Sequence, residues 1–311
     1  MIAPYRWSRR EALAASLGIW PCLRHALAAE PNPPLRVAIS ESMVVDVNLN
    51  DARAAMQIWA KRIQSDLHVP IEFDARIFSP PEEIVRLIRN GQLDAAALNV
   101  VEYRAAGDVF DTSEMFVGAG SAGPDQYHLM VKRDSGLSRL ADLKGRRLCI
   151  LRAPKMCVAA AWLSTLLEEE HQVPAESFFG AMTSDTKVSR VVLPVFFGQA
   201  EACITSKRGF EMMCELNPQV AKDLTVIAAS PLLVTCFYAF RKNYRGPNRE
   251  RFFNLRQTLL TSAAGRQIAT LFQIEELTIR DSSCLATSLN ILERADRLRM
   301  RPFPGARKGE K

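Results

Sequence analysis

The segment CILRAPKMCVAAAW (149–162) places Lys155, Met156 and Cys157 at the turn between a buried strand and a helix. Backbone N–H groups at such a turn, together with the positive end of the helix dipole, favour an anion. Lys155 would add a full positive charge, although it could equally be a solvated surface lysine. The turn lacks the glycine, serine or threonine that lets an anion approach the backbone closely. It therefore predicts an anion site of unusual composition.

The thiol and thioether groups of this segment would also suit a soft metal such as Cu(I). Met212, Met213 and Cys214 form a second group of the same character. Neither group has a Cys-x-x-Cys or Met-x-x-Met spacing, and no histidine lies nearby in the sequence. Methionines at helical spacing more often fill a core. We therefore predict no metal site and no cofactor.

Two segments related by a loose repeat end in polar residues. NGQLDAAALNVVEY begins at position 90 and FGQAEACITSKRGF at position 197, and both read x-Gly-Gln-x-acid-Ala-(Ala/Cys). Each turns at its glycine into a short strand, although common turn chemistry could produce the match by chance. The repeat favours two similar α/β lobes, and open α/β sheets bind ligands at the carboxyl ends of their strands. We therefore expect a shared cleft to be lined by the strand ends, at Asn99, Glu102, Tyr103, Thr205, Ser206 and Lys207.

Ser40, Glu41 and Ser42 follow the first predicted strand, LRVAIS, and would face the same cleft unless they only cap a local turn. A carboxylate from Glu41 or Glu102 in the cleft would repel a doubly charged phosphonate and favour a ligand that carries an amine. The predicted ligand-binding residues are Ser40, Glu41, Ser42, Asn99, Tyr103, Lys155, Met156, Cys157, Thr205 and Ser206.

Catalytic signatures are missing from the sequence. His68, His128 and His171 are scattered along the chain, and each is better explained as a structural or solvated residue. There is no Gly-x-Ser-x-Gly elbow, no phosphate-binding Walker loop and no His-Glu-x-x-His motif. The acidic run Glu168–Glu170 is typical of a solvated helix end. We therefore predict that the protein is not an enzyme.

The first 28 residues have the pattern of a secretory signal. Arg9 and Arg10 precede an apolar run from Ala12 to Leu23, and an A-x-A cleavage pattern ends at Ala28. The paired arginines indicate the twin-arginine export route. The alternative is a membrane anchor, but this apolar run is too short to cross about 30 Å of hydrocarbon. We expect a periplasmic protein, cleaved near Ala28.

The charge and the cysteines limit the partners and the covalent links. The net charge of +6 and the pI of 9.0 come from the two ends of the chain, including a basic tail over 297–311, so we expect no nucleic-acid partner. Six cysteines remain after cleavage, in a compartment that permits disulfides. Because Cys149, Cys203 and Cys236 lie in apolar, strand-like runs, we expect at most one bridge.

Two extended segments indicate crossings between the lobes, at 124–135 and 231–243. We predict that lobe one comprises 35–123 plus 240–296, that lobe two comprises 130–230, and that 297–311 is a flexible tail. A pair of crossing strands would suit a hinge about which the lobes close.

Several segments, and their order along the chain, resemble the PhnD-like group of phosphonate- and sulfonate-type periplasmic solute-binding proteins. YHLMVKRDSGLSRLADLKGRRLCIL (127–151) resembles the entry into their second lobe, with an aromatic-led strand and a Leu-x-Asp-Leu-Lys-Gly step. VPAESFFG (173–180), NGQLDAAALN (90–99) and SPLLVTCFYAFRKN (230–243) fit the same plan. The resemblance covers about 35–297 and implies the type II periplasmic binding protein fold, with two α/β lobes, a two-strand hinge and a ligand cleft.

The resemblance also implies a small-molecule ligand and a partner, the permease of an ABC importer. Family members that bind phosphonates typically carry a Ser-Thr-Ser-Gly-like run at the turn where this chain has APKMCV (153–158). The predicted ligand is therefore small and polar or anionic, and phosphonate itself is in doubt. The alternative is a ligand-sensing or interaction module with the same fold and no importer. We expect a monomer.

Overall fold

The computed structural model describes residues 33–44, 48–67, 71–72, 78–119, 124–254 and 276–300, together with positions 263 and 266. The predicted signal over 1–28 and most of the predicted tail lie outside these residues. The strands are β1 (Leu35–Ser40), β2 (Ile71–Glu72), β3 (Phe78–Ser79), β4 (Ala95–Asn99), β5 (Phe110–Ala119), β6 (Tyr127–Lys132), β7 (Arg147–Leu151), β8 (Ala181–Asp185), β9 (Ala202–Ser206), β10 (Leu224–Ala229), β11 (Cys236–Arg241) and β12 (Glu276–Arg280).

Ten helices surround these strands within the described residues. They are α1 (Leu49–Leu67), α2 (Pro81–Arg89), α3 (Val100–Ala106), α4 (Ala159–Glu169), α5 (Ala175–Phe178), α6 (Val188–Phe196), α7 (Lys207–Leu216), α8 (Pro218–Asp223), α9 (Asn248–Asn254) and α10 (Ala286–Met300). Within these residues, no helix has both the length and the apolar character that crossing a lipid bilayer requires.

The strands form two sheets, which confirms the prediction of two α/β lobes. The first sheet has the order β12-β5-β11-β4-β1-β2, with β3 also paired to β1. The second has the order β10-β6-β9-β7-β8. Each contains parallel strands whose carboxyl ends point the same way, β1 with β4 in one sheet and β7 with β8 and β9 in the other. Strands β11 and β6 run antiparallel to their neighbours because the chain enters them from the other sheet.

Strand β4 lies in the middle of its sheet and is packed on both faces. Ala95 packs in a cluster on one face with α1 and α9, while Ala96 and Leu98 pack in a cluster on the other face with α2 and α3. A central strand is buried on both faces, so its sequence is apolar throughout rather than alternating. The polar residue Asn99 then marks the end of the strand, as the repeat predicted.

Helix α2 illustrates how local sequence starts and stops these elements. Pro81 occupies the first turn, where its missing N–H is not needed, and Gly91 follows the end with φ of +66°. Ile84 and Ile88 are buried one helical turn apart, so the helix lies on the sheet along one apolar stripe. Pro80 occupies the cap position without a side-chain bond, and Ser79 before it ends β3.

The two crossings between the sheets are bonded to each other. Asp125 and Leu233 exchange both backbone hydrogen bonds, at 3.1 and 2.9 Å between N and O. The hydroxyl of Ser230 accepts from the amide of Tyr127 at 2.8 Å. The crossings are shorter than the predicted segments, because most of each segment belongs to β6 or β11. They form a short two-stranded link of the kind a hinge requires, and the lobe boundaries stay a prediction.

Helix α10 connects the two sheets a third time. Arg294 pairs with Glu168 and Glu169 of α4, at 3.1 and 2.8 Å, so this acidic run is not simply solvated. Asp296 pairs with Arg104 of α3 at 2.7 Å. Ile291, Leu292 and Ala295 also complete the apolar cluster of the second sheet. The helix continues to Met300, so the first four positions of the predicted tail are helical.

The hydroxyl of Ser288 should anchor α10 to the second crossing. It donates to the carbonyl of Val234 at 2.7 Å and is fully buried. Replacing it by Ser288→Ala would leave that carbonyl without its donor, and we expect a loss of about 1–2 kcal/mol in unfolding free energy. Thr287→Ala, at the exposed neighbouring position, is the matched control and should change stability by less than about 0.5 kcal/mol. Equal urea midpoints for the two variants would contradict this role.

Asp111 should make the first sheet sensitive to acid. Burial alone would raise its pKa, but hydrogen bonds from Ser113 and Arg249 lower the pKa from 3.8 to about 2. A lowered folded-state pKa means that this carboxylate stabilises the fold above its unfolded value, and that the stabilisation is lost as pH falls from about 5 towards 2. Asp111→Asn should therefore lose less stability over that range than the parent, measured by urea unfolding at each pH. The same pH dependence in both proteins would refute this assignment.

Candidate functional site

The carboxyl ends of β1 and β4 place four predicted or neighbouring polar residues together. Ser40 ends β1 and is followed by a short 3-10 turn that contains Ser42. Asn99 ends β4, and Glu102 lies in the first turn of α3 directly after it. Because β1 and β4 are parallel neighbours, both ends lie at one edge of the first sheet. We call these four residues the strand-end network.

Glu102 is the acceptor at the centre of the strand-end network. Its Oε1 accepts from the hydroxyls of Ser40 at 2.7 Å and Ser42 at 2.6 Å. Its Oε2 accepts from the amide of Asn99 at 3.0 Å. Asn99 Oδ1 accepts in return from the amides of Val101 and Glu102, which is a reciprocal helix cap. The network therefore closes the start of α3 and ties it to β1.

The geometry limits what this edge can offer to a ligand. A serine hydroxyl has one donor hydrogen, and both hydroxyls direct theirs at Glu102. The side-chain amide of Asn99 donates to Ser42 Oγ at 3.0 Å. An incoming oxyanion could accept the second amide hydrogen of Asn99, but it would meet the Glu102 carboxylate there. The edge is therefore better suited to a group that donates hydrogen bonds than to an anion.

The turn after β7 supplies the opposing surface. Pro154–Met156 form a 3-10 turn, in which the amide of Met156 donates to the carbonyl of Ala153 at 2.8 Å. The hydroxyl of Tyr127 donates to the carbonyl of Lys155 at 2.5 Å and holds the turn on the second sheet. The amide of Met156 is thus engaged inside the turn. The cationic side chain of Lys155 belongs to the same turn.

Cys157 brings this turn against the first sheet. Its Sγ lies 3.9 Å from the carbonyl oxygen of Thr235, which precedes β11. The same carbonyl accepts from the amide of Val100 at 2.8 Å, at the start of α3. Val100 is fully buried in the apolar cluster that belongs mainly to the second sheet. The two lobes are therefore in direct contact beside the strand-end network.

Electrostatic effects show which side chains share this region. Burial raises the pKa of the Cys157 thiol well above its ordinary value, and the nearby Cys236 raises it further. Burial also raises the pKa of Cys236 to about 12, with Lys155 lowering it and Glu102 raising it. Lys155 and Glu102, from opposite lobes, thus both act on one thiol. Sequence reasoning missed Cys236 because it lies inside an apolar, strand-like run.

Other predicted site residues have structural partners. The ring of Tyr103 meets Phe237 edge-on, with 5.1 Å between centroids, and Met156 lies in the core of the second lobe. Thr205 is fully buried, and Ser206 caps α7 by accepting from the amide of Gly209 at 3.0 Å. Glu41 is exposed. Ligand contact remains a prediction for all ten residues, and the structure brings Ser40, Ser42, Asn99, Lys155 and Cys157 closest to one common region.

Metal binding is the other kind of chemistry that the cysteines and methionines suggested in the sequence. Within the described ranges, no cluster of three or more His, Cys, Asp or Glu side chains could hold a metal ion. The six cysteines of these ranges are free thiols.

Glu102 should stabilise the fold through its three bonds. Glu102→Ala would remove the acceptor of Ser40, Ser42 and the Asn99 amide, and we expect a loss of about 2–3 kcal/mol in unfolding free energy. Glu41→Ala is the matched control, since this glutamate is exposed in the adjacent turn, and it should stay within about 0.5 kcal/mol of the parent. Urea unfolding measures both variants. A loss below 1 kcal/mol for Glu102→Ala would show that the network contributes little.

Comparison with known proteins gives one family and many structures. Residues 43–283 match the family described as "ABC transporter, phosphonate, periplasmic substrate-binding protein". No curated protein matches the chain. The solved structures share the two-lobed type II periplasmic binding protein fold predicted from the sequence.

Three of these structures illustrate the similarity. A binding protein component of an ABC phosphonate transporter from Pseudomonas aeruginosa is 14% identical, with 88% of this chain and 91% of that chain covered and a TM-score of 0.56. PhnD1 of Prochlorococcus marinus, in complex with methylphosphonate, is 15% identical, with coverage of 87% and 100% and a TM-score of 0.55. A Xanthomonas citri protein bound to ATP is 12% identical, with coverage of 85% and 98% and a TM-score of 0.59.

Proposed function

Because the chain belongs to the family of phosphonate-type periplasmic substrate-binding proteins of ABC transporters, we propose that it captures a small zwitterion between its two lobes. The family makes it a solute-binding protein with a small-molecule ligand and an importer permease as partner. The proposed ligand carries an amine and one acidic group, such as a sulfonate, carboxylate or phosphonate. Dianionic phosphonates without an amine are poorer candidates.

The single observation that carries this proposal is the arrangement around Glu102. The hydroxyls of Ser40 and Ser42 both donate to its carboxylate, so the first lobe presents acceptors where a phosphonate would need donors. An amine could donate to these oxygens, and a charge-assisted bond of this kind is stronger than a neutral one. A second negative charge close to Glu102 would instead be repelled.

Lys155 is proposed to bind the acidic group. It lies in the turn that faces the strand-end network, and both Lys155 and Glu102 act on Cys236. A ligand placed between them would complement a positive group on one lobe and a negative group on the other. That pairing favours a zwitterion over a simple anion, since each charged end then meets its opposite.

Closure is proposed to occur about the bonded crossings at Asp125 and Leu233. Two short strands can bend with small changes in backbone angles, which is typical of hinge motion. The closed form would then be recognised by the permease. Export through a cleaved signal, a monomeric state, no binding to nucleic acid and no enzymatic activity also remain proposals.

Paired ligands should reveal the preference for an amine. In a thermal-shift assay, 2-aminoethylphosphonate and taurine should raise the melting temperature more than ethylphosphonate and ethanesulfonate, because only the first pair can donate to Glu102. Methylphosphonate and ATP extend the panel to the ligands of two structural neighbours, and phosphate adds a simple oxyanion. Lys155→Ala should weaken the preferred ligand about tenfold, as expected for a charge-assisted bond.

Two controls separate the parts of this proposal. Lys144→Ala removes an exposed lysine of the same lobe outside the turn and should leave affinity unchanged. Glu102→Gln should reduce the advantage of the amine-bearing ligand while keeping the size of the side chain. Equal stabilisation by both members of each pair would contradict the zwitterion, and no stabilisation by any compound would contradict the choice of ligand class.

A further inference from the structure

Cys157 and Cys236 bring two thiols from different lobes into one region. The Sγ of Cys157 lies 3.9 Å from the carbonyl oxygen of Thr235, the residue that precedes Cys236. That oxygen is three bonds from the Cα of Cys236, so this Cα lies within about 7 Å of the Cys157 sulfur. A disulfide typically joins residues whose Cα atoms are about 4.4–6.8 Å apart. The two cysteines are therefore neighbours, and a bond between them requires the turn to bring their Cα atoms into that range.

The register of the first sheet directs Cys236 towards the same place. Cys236 lies opposite Asn99 in the β4–β11 pair, so their side chains point to the same face. Asn99 caps α3, and the backbone N–H groups of Val100 and Val101 at the start of that helix also act on the Cys157 thiol. Both cysteines thus lie beside the first turn of α3. Each is a free cysteine of intermediate residue exposure, and its thiol group is buried.

A second cysteine pair provides a comparison within the same molecule. Cys149 and Cys203 lie opposite each other on the parallel strands β7 and β9 of one sheet. Both are buried, at 9% and 0% exposure, and a bond between them would join strands that are already paired. The Cys157–Cys236 pair, by contrast, joins two residues of intermediate burial on different lobes.

We propose that Cys157 and Cys236 are a redox-sensitive lock, in which their oxidation to a disulfide fixes the turn of the second lobe against β11 of the first. The lock goes beyond the proposed function, since it concerns how freely the lobes separate and not which ligand they hold. It would connect the two lobes covalently beside the crossing at 230–235 and restrict bending there.

The chemistry balances with a protein disulfide of the oxidising compartment as oxidant. One cysteine, as thiolate, attacks the oxidant's disulfide and forms a mixed disulfide, releasing one thiol of the oxidant. The second cysteine then attacks the protein sulfur of that mixed disulfide and releases the oxidant's other thiol. The two cysteines thus lose two protons and two electrons, and the oxidant's disulfide becomes a dithiol.

The local environment disfavours the thiolate that the exchange requires. Burial raises the pKa of both thiols, so a charge on either sulfur is unfavourable in the arrangement observed. We therefore expect the first exchange when the turn has moved away from β11, and the second when it returns.

Disulfide mapping of the full chain tests the lock directly. The protein is treated with diamide or with oxidised glutathione, quenched by alkylation and digested, and the peptides are identified by mass spectrometry. We expect a linked pair of peptides containing Cys157 and Cys236, two hydrogens lighter than the separate peptides and separated by dithiothreitol. A different bridge, or no bridge when the oxidant is in excess, would overturn the proposal.

Hydrogen exchange measures whether the bond restricts opening. Backbone amides of the two crossings, at 124–126 and 230–235, should exchange about tenfold more slowly after oxidation and recover after reduction. Cys157→Ser and Cys236→Ser should both lose this response, whereas Cys214→Ser, on α7, should keep it. A mapped bridge without slower exchange in the parent protein would overturn the lock. These readouts need no ligand, so failure of the proposed function would not affect them.

Discussion

The bonds to Glu102 determine the character of this region. The carboxylate joins the end of β1 to the end of β4 and the start of α3, through residues that are up to 62 positions apart in the chain. Buried acceptors of this kind are stable only when their donors are present, so the serines and the asparagine are needed for the fold before any ligand arrives. A ligand must therefore be recognised by hydrogen-bonding capacity that the network itself leaves unused.

The sequence predicted which residues lie at this edge of the sheet, but not which hydrogen bonds they make with one another. Asn99 and Glu102, three positions apart after a strand, match a helix-capping pattern that depends only on local spacing. The partners Ser40 and Ser42 come from a strand that is adjacent only in the folded sheet, so no local pattern reveals that their hydroxyls are engaged.

Contacts between the lobes were the hardest to predict. The two crossings could be predicted as extended segments, because a strand is indicated by its own residue types and their alternation. The place of Cys236 beside Cys157 depends on how the turn after β7 meets β11, which no periodicity encodes. Helix α10 likewise has an ordinary helical pattern, and its attachment to both α3 and α4 appears only when Arg294 and Asp296 are seen with their partners.

The position of α10 has a consequence for the order in which the molecule assembles. Ile291, Leu292 and Ala295 supply part of the core of the second lobe, yet they follow the strands of that lobe by about 60 residues or more in the chain. During synthesis the second lobe is therefore left with one apolar side uncovered until α10 has emerged. The native packing of that lobe can be completed only after this helix has been made.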